Sequence, residues 1–211
     1  MRIRSDSFEH GRRLPATHAA GQRTGDGVGF APNRNPHLAW DDAPAGTRSF
    51  ALLCIDPDVP TVGEMVGKPG VTIPVDQPRT DFTHWAMVDL PADVRELAEG
   101  ALSDGVVPHG KPDAVLARAP RGARQGLNDY TGWFAADEAM AGDWRGFDGP
   151  FPPPNDARLH RYFFRVFALD VERLDVPDRF TAADVYRAMH GHVLAEATTY
   201  ATYSLNPDVR D

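Results

Sequence analysis

Six consecutive residues, Phe50-Ala-Leu-Leu-Cys-Ile55, are apolar at every position, and the run ends on Asp56-Pro-Asp-Val-Pro60. Side chains alternate across a strand, so a run apolar on both alternating faces predicts a strand that is covered on both sides. Pro57 fixes its own φ and disfavours helical backbone at Asp56, which predicts that Asp56 and Asp58 sit on a stiff turn at the mouth of that strand. Rigid acidic turns of this kind commonly carry sites, but this stretch alone favours the simpler reading, aspartates that cap turn amides.

The rest of the chain reads as short strands separated by turn signals. Asn35-Pro-His-Leu-Ala-Trp40 leads into Asp41, Asp42, Pro44 and Gly46, and then the central run begins. His84-Trp-Ala-Met-Val-Asp-Leu90 is strand-like, with His84, Ala86 and Val88 expected on one face. His160-Arg-Tyr-Phe-Phe-Arg-Val-Phe-Ala-Leu169 is the clearest strand. Its period of two places His160, Tyr162, Phe164 and Val166 on one side, so His160 and Tyr162 are able to line one pocket. This spacing predicts a β-sandwich. Met1 to Thr24 is polar, with Phe8, Leu14 and Pro15 as anchors and an edge strand that turns at His10-Gly11. Pro91 to Leu102, with Val94, Leu97 and Ala98 at helical spacing, predicts a short helix or turn, and Gly105 to Gly126 reads as loop. Thr181 is a candidate helix cap completed by Asp184, and Val185, Met189 and Val193 repeat at i, i+4 and i+8. A C-terminal helix from about Ala182 to about Thr199, docked by that stripe, is expected.

Two long stretches interrupt this pattern, at about 61–83 and 131–148. The first is rich in Gly and Pro, and the second holds Trp133, Phe134, Trp144 and Phe147, which predict a lid, an interface or a satellite core. Gly149-Pro-Phe-Pro-Pro-Pro154 is a stiff bend that no central strand tolerates. Gly25-Asp-Gly-Val-Gly29 lacks both the preceding apolar strand and the following helix of a phosphate loop.

At 211 residues the chain is long enough for one domain, residues 1–211, with a sizeable core. Thirty acidic against 22 basic residues give a net charge of -8, which repels nucleic acid and anionic membrane surfaces at long range. No nucleic-acid partner is expected, although a local pocket remains open to an anion. Cys54, the only cysteine, lies in the apolar run and leaves no intrachain disulfide and no cysteine zinc framework. Met1 to Gly11 has no apolar signal region and no stretch reaches membrane-span length, so a cytoplasmic location is the expectation.

Several of these blocks together resemble the signature of the phosphatidylethanolamine-binding protein (PEBP) family, closest to its bacterial and archaeal branch. The blocks are Asp56-Pro-Asp-Val-Pro60, His84-Trp85, and Gly149-Pro-Phe-Pro-Pro153 leading into His160-Arg-Tyr162. Flanking stretches match too: Phe8, Gly11 and Pro15, Asn35 to Trp40, Gly46-Thr-Arg-Ser-Phe50, Asn128-Asp-Tyr130 and Ala168-Leu-Asp170. The resemblance implies a mainly β fold, a two-sheet antiparallel β-sandwich with a C-terminal helix and short peripheral helices. It also implies a small anion pocket for phosphate, acetate or a phospholipid headgroup, lined by Asp56, Pro57, Asp58, His84, Gly149, Pro150, His160 and Tyr162. The family pattern carries a glycine shortly before His-Arg-Tyr, where this chain has Asn155 and Asp156, residues that tolerate left-handed backbone.

The chemistry expected of that pocket is a non-catalytic one. A carboxylate beside a histidine favours the imidazolium, so Asp56 or Asp58 would hold His84 or His160 charged while its other nitrogen meets a phosphate oxygen. The resemblance leaves a second function open, an inhibitor or regulator of a kinase or serine protease acting through the pocket rim, and it also implies a homodimer. Two histidines and two aspartates are metal-ligand types, but their spacings match no metal motif. The serines at 5, 7, 49, 103 and 204 lie in no nucleophile elbow, which leaves hydrolysis of a small ester as a third reading. No cofactor is implied.

Overall fold

The central strand finds its two covers in two different layers. The computed structural model describes residues 1–25 and 27–210. In chain order the strands are β1 (Arg2–Arg4), β2 (Gly21–Thr24), β3 (Gly27–Phe30), β4 (Leu38–Asp41), β5 (Ser49–Pro60), β6 (Arg79–Pro91), β7 (Glu96–Leu97), β8 (Arg124–Gln125), β9 (His160–Leu169) and β10 (Val193–Tyr203). Among the described residues three short α-helices join them, α1 (Asp113–Leu116), α2 (Tyr130–Trp133) and α3 (Ala182–Met189). β5 lies in the middle of a five-stranded sheet ordered β10-β9-β5-β6-β8, antiparallel throughout, and a smaller sheet is ordered β1-β4-β7. The fold is a mainly β sandwich with few helices, as the sequence predicts.

Phe50, Leu52 and Cys54 enter the larger core, where β9 supplies Tyr162, Phe164 and Val166, β6 supplies Trp85 and Met87, and the smaller sheet supplies Leu38, Trp40 and Leu97. Ala51, Leu53 and Ile55 enter a second core with Val88, Leu174, Phe180, Val185 and Met189, so α3 and the segment before it cover the other face. At ~25 cal/mol per Å² of apolar surface, covering both faces of such a run is the largest favourable contribution available to it. Phe8 and Leu14 anchor the N-terminal segment in the larger core. β1 is an edge strand of the smaller sheet, and Gly11 makes its turn at φ 73.

Four local expectations are corrected. Thr181 caps α3 through a reciprocal box with Asp184, but the helix stops at Met189, not near Thr199. Gly191 follows in left-handed backbone at φ 85, a common helix stop, and Val193–Tyr203 pairs with β9 as a strand. Val193 is therefore exposed rather than part of the apolar stripe. The aspartates of β5 do not sit on a turn, because the strand runs on to Pro60 with a bulge between Asp56 and Val59. The long stretch after Pro60 ends where β6 begins at Arg79, whereas residues 91–102 hold turns, one of the two expected alternatives, together with β7. Residues 105–126 are mostly loop but contain α1 and β8. In the Gly25–Gly29 stretch, Gly27 to Gly29 belong to β3 and Asp26 lies outside the described residues.

Candidate functional site

The C-terminal end of the apolar part of β5, the start of β9 and the first half of β6 meet at one end of the sandwich. His160 opens β9, and the period of two brings Tyr162 to the same side, as predicted. His84 reaches that side by a different route. Cys54 pairs with Trp85 and Ile55 with Thr83, so His84 is the extra residue of a bulge. The bulge rotates its side chain away from the face of Ala86 and Val88 and onto the face of Trp85 and Tyr162, correcting the expected grouping. The His84 ring then packs edge-on against Tyr162 at 5.1 Å and Tyr130 at 5.6 Å, and tilted against Phe82 at 5.0 Å.

The cavity they enclose is about 60 Å³, room for a small polyatomic group. Asp56, His84, His160 and Tyr162 form its polar end, while Phe82, Tyr130, Trp133 and Phe151 and the prolines 60, 152 and 153 form an apolar wall and rim. Of the eight residues implied by the resemblance, these four line it. Pro57 and Asp58 lie on β5 but do not line the cavity, and neither do Gly149 and Pro150. The Gly149 carbonyl accepts the Tyr130 hydroxyl at 2.8 Å, and its N–H donates to Asn33 Oδ1 at 2.7 Å. The Pro150 carbonyl accepts the N–H groups of Ala20 and Gly21.

The polar end is a chain of alternating charges. His160 Nδ1 donates to Asp56 Oδ2 at 2.7 Å and Nε2 donates to Asp156 Oδ2 at 3.1 Å. Carboxylates accept, so both ring nitrogens carry hydrogen and the ring is an imidazolium. Burial alone would lower its pKa, but Asp56 and Asp156 outweigh it and carry it up to about 9. Asp156 also accepts both terminal nitrogens of Arg79, at 2.6 and 3.1 Å, and the Arg158 N–H. Burial pushes Asp156 up, yet His160, Arg79 and the Arg158 N–H together hold it below the usual carboxylate value. Asp58 takes Arg158 Nε at 2.7 Å and a fork from Arg161 at 2.8 and 2.9 Å, while its N–H donates to Asp56 Oδ1 at 2.8 Å. The expectation that an aspartate orients a histidine holds for Asp56 and His160. The further expectation of a free second nitrogen on that ring does not, because Asp156 occupies it.

His84 is held differently. Its Nδ1 donates to the Asp148 carbonyl at 2.7 Å, and the Asp148 N–H returns a bond to the His84 carbonyl. The Asp148 side chain is itself clamped by Lys111 Nζ and Asn33 at 2.7 Å each and by Asn128 at 2.8 Å, all buried. His84 Nε2 has no protein partner and faces the cavity. Burial keeps the His84 pKa below its ordinary value, offset in part by Asp56, the Asp148 carbonyl and Asp129. Burial also pushes the hydroxyls of Tyr162 and Tyr130 well above theirs, with Asp56 reinforcing both.

Sequence reasoning left out Asp156, Arg79, Asp148 and Lys111, which orient the two histidines without lining the cavity. Asn155 and Asp156 tolerate left-handed backbone, but neither has a positive φ. Asn155 instead ties down the loop after β5 through the carbonyls of Met65 and Val71, and Asp156 is buried for its carboxylate. Trp144, Met140 and Tyr130 form a satellite core that Phe134 packs against, and Phe147 joins the larger core. Trp133 stays 51% exposed at the cavity rim. Among the described residues no group of three or more His, Cys, Asp or Glu is placed to hold a metal ion, and no helix is long and apolar enough to cross a membrane.

Comparison with known proteins agrees with this architecture. Residues 4–204 match the family model described as phosphatidylethanolamine-binding protein. The UPF0098 protein YbhB of Escherichia coli K12 is 35% identical over 97% of this chain and 100% of its own length. A UPF0098 protein of Aquifex aeolicus is 32% identical over 96% of this chain and 88% of its own. The crystal structure of E. coli YbcL, described as a member of the mammalian PEBP family, superposes with a TM-score of 0.68 at 27% identity, covering 96% of this chain and 97% of that one. A homologue from Chlamydia trachomatis gives 0.61 at 28% identity, covering 96% of each chain.

Proposed function

This chain belongs to the phosphatidylethanolamine-binding protein family, and from that premise we propose that it is a binding protein whose cavity takes one small oxyanion of the phosphate class. The observation that carries the reading is His84 Nε2, the ring nitrogen of a buried histidine that lines the cavity beside Tyr162 without a protein partner. The neighbouring polar groups are bonded among themselves, so Asp56, His160 and Asp156, with the Tyr162 hydroxyl on Asp56, are a frame and His84 is the contact. The apolar rim suits a substituent on the anion. Charge-assisted hydrogen bonds of about 1.5–3 kcal/mol each, few in number and set against association costs, put a bare headgroup at millimolar to micromolar affinity, to order of magnitude.

Binding without turnover fits the nucleophile inventory. No serine lines the cavity, and Ser49 and Ser103 donate to backbone carbonyls elsewhere. Cys54 is buried in the core with its thiol pushed well up by burial.

The test is calorimetric titration of inorganic phosphate and O-phosphoethanolamine into the wild type and His84→Ala at pH 5.5. Weak binding by the wild type that disappears in the variant is expected. Equal binding by both proteins, or none by the wild type, would overturn the reading. His160→Ala is a poor probe here, because it leaves buried Asp56 without its counter-charge and disturbs the frame itself.

A further inference from the structure

Resting on that anion-binding reading, the hydrogen-bond roles around the cavity also restrict which oxyanion fits. The Asp148 carbonyl only accepts, so His84 Nδ1 carries the hydrogen, and the neutral ring presents a lone pair at Nε2. His160 is charged, but both of its N–H groups are spent on Asp56 and Asp156. Asp56 lines the cavity with two oxygens that accept the Asp58 N–H, His160 Nδ1 and the Tyr162 hydroxyl, which leaves acceptor capacity for one more donor. The Tyr130 hydroxyl is committed as a donor to the Gly149 carbonyl. The nearby cations do not line the cavity. Arg79 is bonded to Asp156, Arg158 and Arg161 to Asp58, and Lys111 to Asp148. The polar end of the cavity therefore offers acceptors at His84 Nε2 and Asp56, while the Tyr162 hydroxyl donates to Asp56.

We infer that the cavity selects oxyanions that still carry a proton, such as a phosphate monoester monoanion, over fully ionised oxyanions such as a sulfate ester. A P–O–H group donates to His84 Nε2, or takes the place of the Tyr162 hydroxyl on Asp56 and frees that hydroxyl to donate to another oxygen. A dianion, or an anion with no proton, faces the Asp56 charge and an unprotonated ring. The alternative source of the proton is His84 itself. The groups facing that ring are Asp56 from β5, Asp129 and Tyr130 at the start of α2, the Asp148 carbonyl, and Tyr162 from β9. Burial disfavours the charged ring more than these neighbours favour it.

The experiment titrates phenyl phosphate, phenylphosphonate and phenyl sulfate into the wild-type protein from pH 5.5 to 8.5. Phenyl sulfate has no proton to give in this range, and at pH 6 it is expected to bind roughly ten- to a hundredfold more weakly than the phosphate, the effect of one lost hydrogen bond to a charged partner. Above a second ionisation near 6, the monoanion fraction of a phosphate ester falls about tenfold per pH unit, and its apparent affinity is expected to fall with it. For phenylphosphonate, a weaker acid in its second ionisation, the midpoint is expected to move to higher pH. Midpoints that stay fixed across ligands, with the sulfate bound as tightly as the phosphate, would place the proton on His84 and overturn this inference while leaving anion binding intact. If none of the three binds, the function proposed above falls with it.

Discussion

His160 and Asp156 stand four residues apart, and their side chains meet at 3.1 Å, closing a buried line of charge that runs from Asp56 through the imidazolium to Arg79. The contact has no helical geometry behind it. His160 opens β9, and Asp156 lies in the stretch that leads into it, after the proline-rich bend and with its carbonyl fixed by Asn206. One short loop thus supplies both the ring and one of its two anchors.

That arrangement makes stability depend on pH in the alkaline direction. The folded-state pKa of His160 is raised from 6.5 to about 9, so its contribution is fully present below 6.5 and is lost as pH rises through about 9. The loss is on the order of 3 kcal/mol between pH 6 and pH 10. Urea unfolding midpoints measured across that range are expected to fall in the wild type and to stay nearly flat in His160→Gln. A wild-type midpoint that held steady to pH 10 would mean that the ring is not an imidazolium.

Asp58 governs the acid side. Burial pushes its pKa up, but the hydrogen bonds and charges of Arg161 and Arg158 outweigh burial and hold it below 3.8. Its contribution is present above the ordinary carboxylate value and is lost as pH falls through the depressed one. Because Arg158 and Arg161 reach solvent, the cost of Asp58→Asn at pH 6 is about 2 kcal/mol, less than that of a fully buried pair. Thermal unfolding of this variant from pH 6 to 2.5 is expected to show a lower melting temperature at pH 6 and a shallower acid limb. Equal limbs in both proteins would move the acid sensitivity to Asp156.

Some of this was readable without coordinates. The doubly covered strand, the pairing of His160 with Tyr162 and the Thr181 cap follow from local rules of alternation and capping. The position of His84 does not, because a bulge is set by how two strands pair, and one extra residue turns its side chain to the other face. The end of α3 had a local signal in Gly191, which the apolar spacing of Val185, Met189 and Val193 obscured. The partners of His160 and His84 were hidden because their separations vary from four residues for Asp156 to 104 for Asp56, and no periodicity links them.

Gly149 is required by a close approach rather than by its backbone angles. A Cβ built on it would stand 2.1 Å from the His18 carbonyl oxygen and 3.0 Å from the Ala19 Cα, both backbone atoms that cannot swing aside. Gly149→Ala must therefore shift the segment that holds the Tyr130 hydroxyl and the Asn33 side chain. Overpacking of this kind costs roughly 1–3 kcal/mol. The expected result is a lower denaturation midpoint together with weaker phosphate binding. A variant as stable as the wild type would show that the loop has room the structure denies it.

Trp133 separates the rim from the polar end. It lines the cavity, yet half its surface is open and no side-chain hydrogen bond holds it, so its removal has little to disturb in the fold. Trp133→Ala is expected to change folding stability by no more than about 0.5 kcal/mol. Inorganic phosphate, confined to the end formed by His84, Tyr162 and Asp56, should bind the variant as it binds the wild type. Phenyl phosphate, whose ring would lie against the aromatic rim, should lose roughly three- to tenfold, the scale of one aromatic contact of about 0.5–1.5 kcal/mol. Titrating both ligands into both proteins under one buffer isolates the rim, because any change in the polar end would alter the two ligands alike. Equal losses for both would place Trp133 in the support of His84 and not in the path of a ligand's substituent.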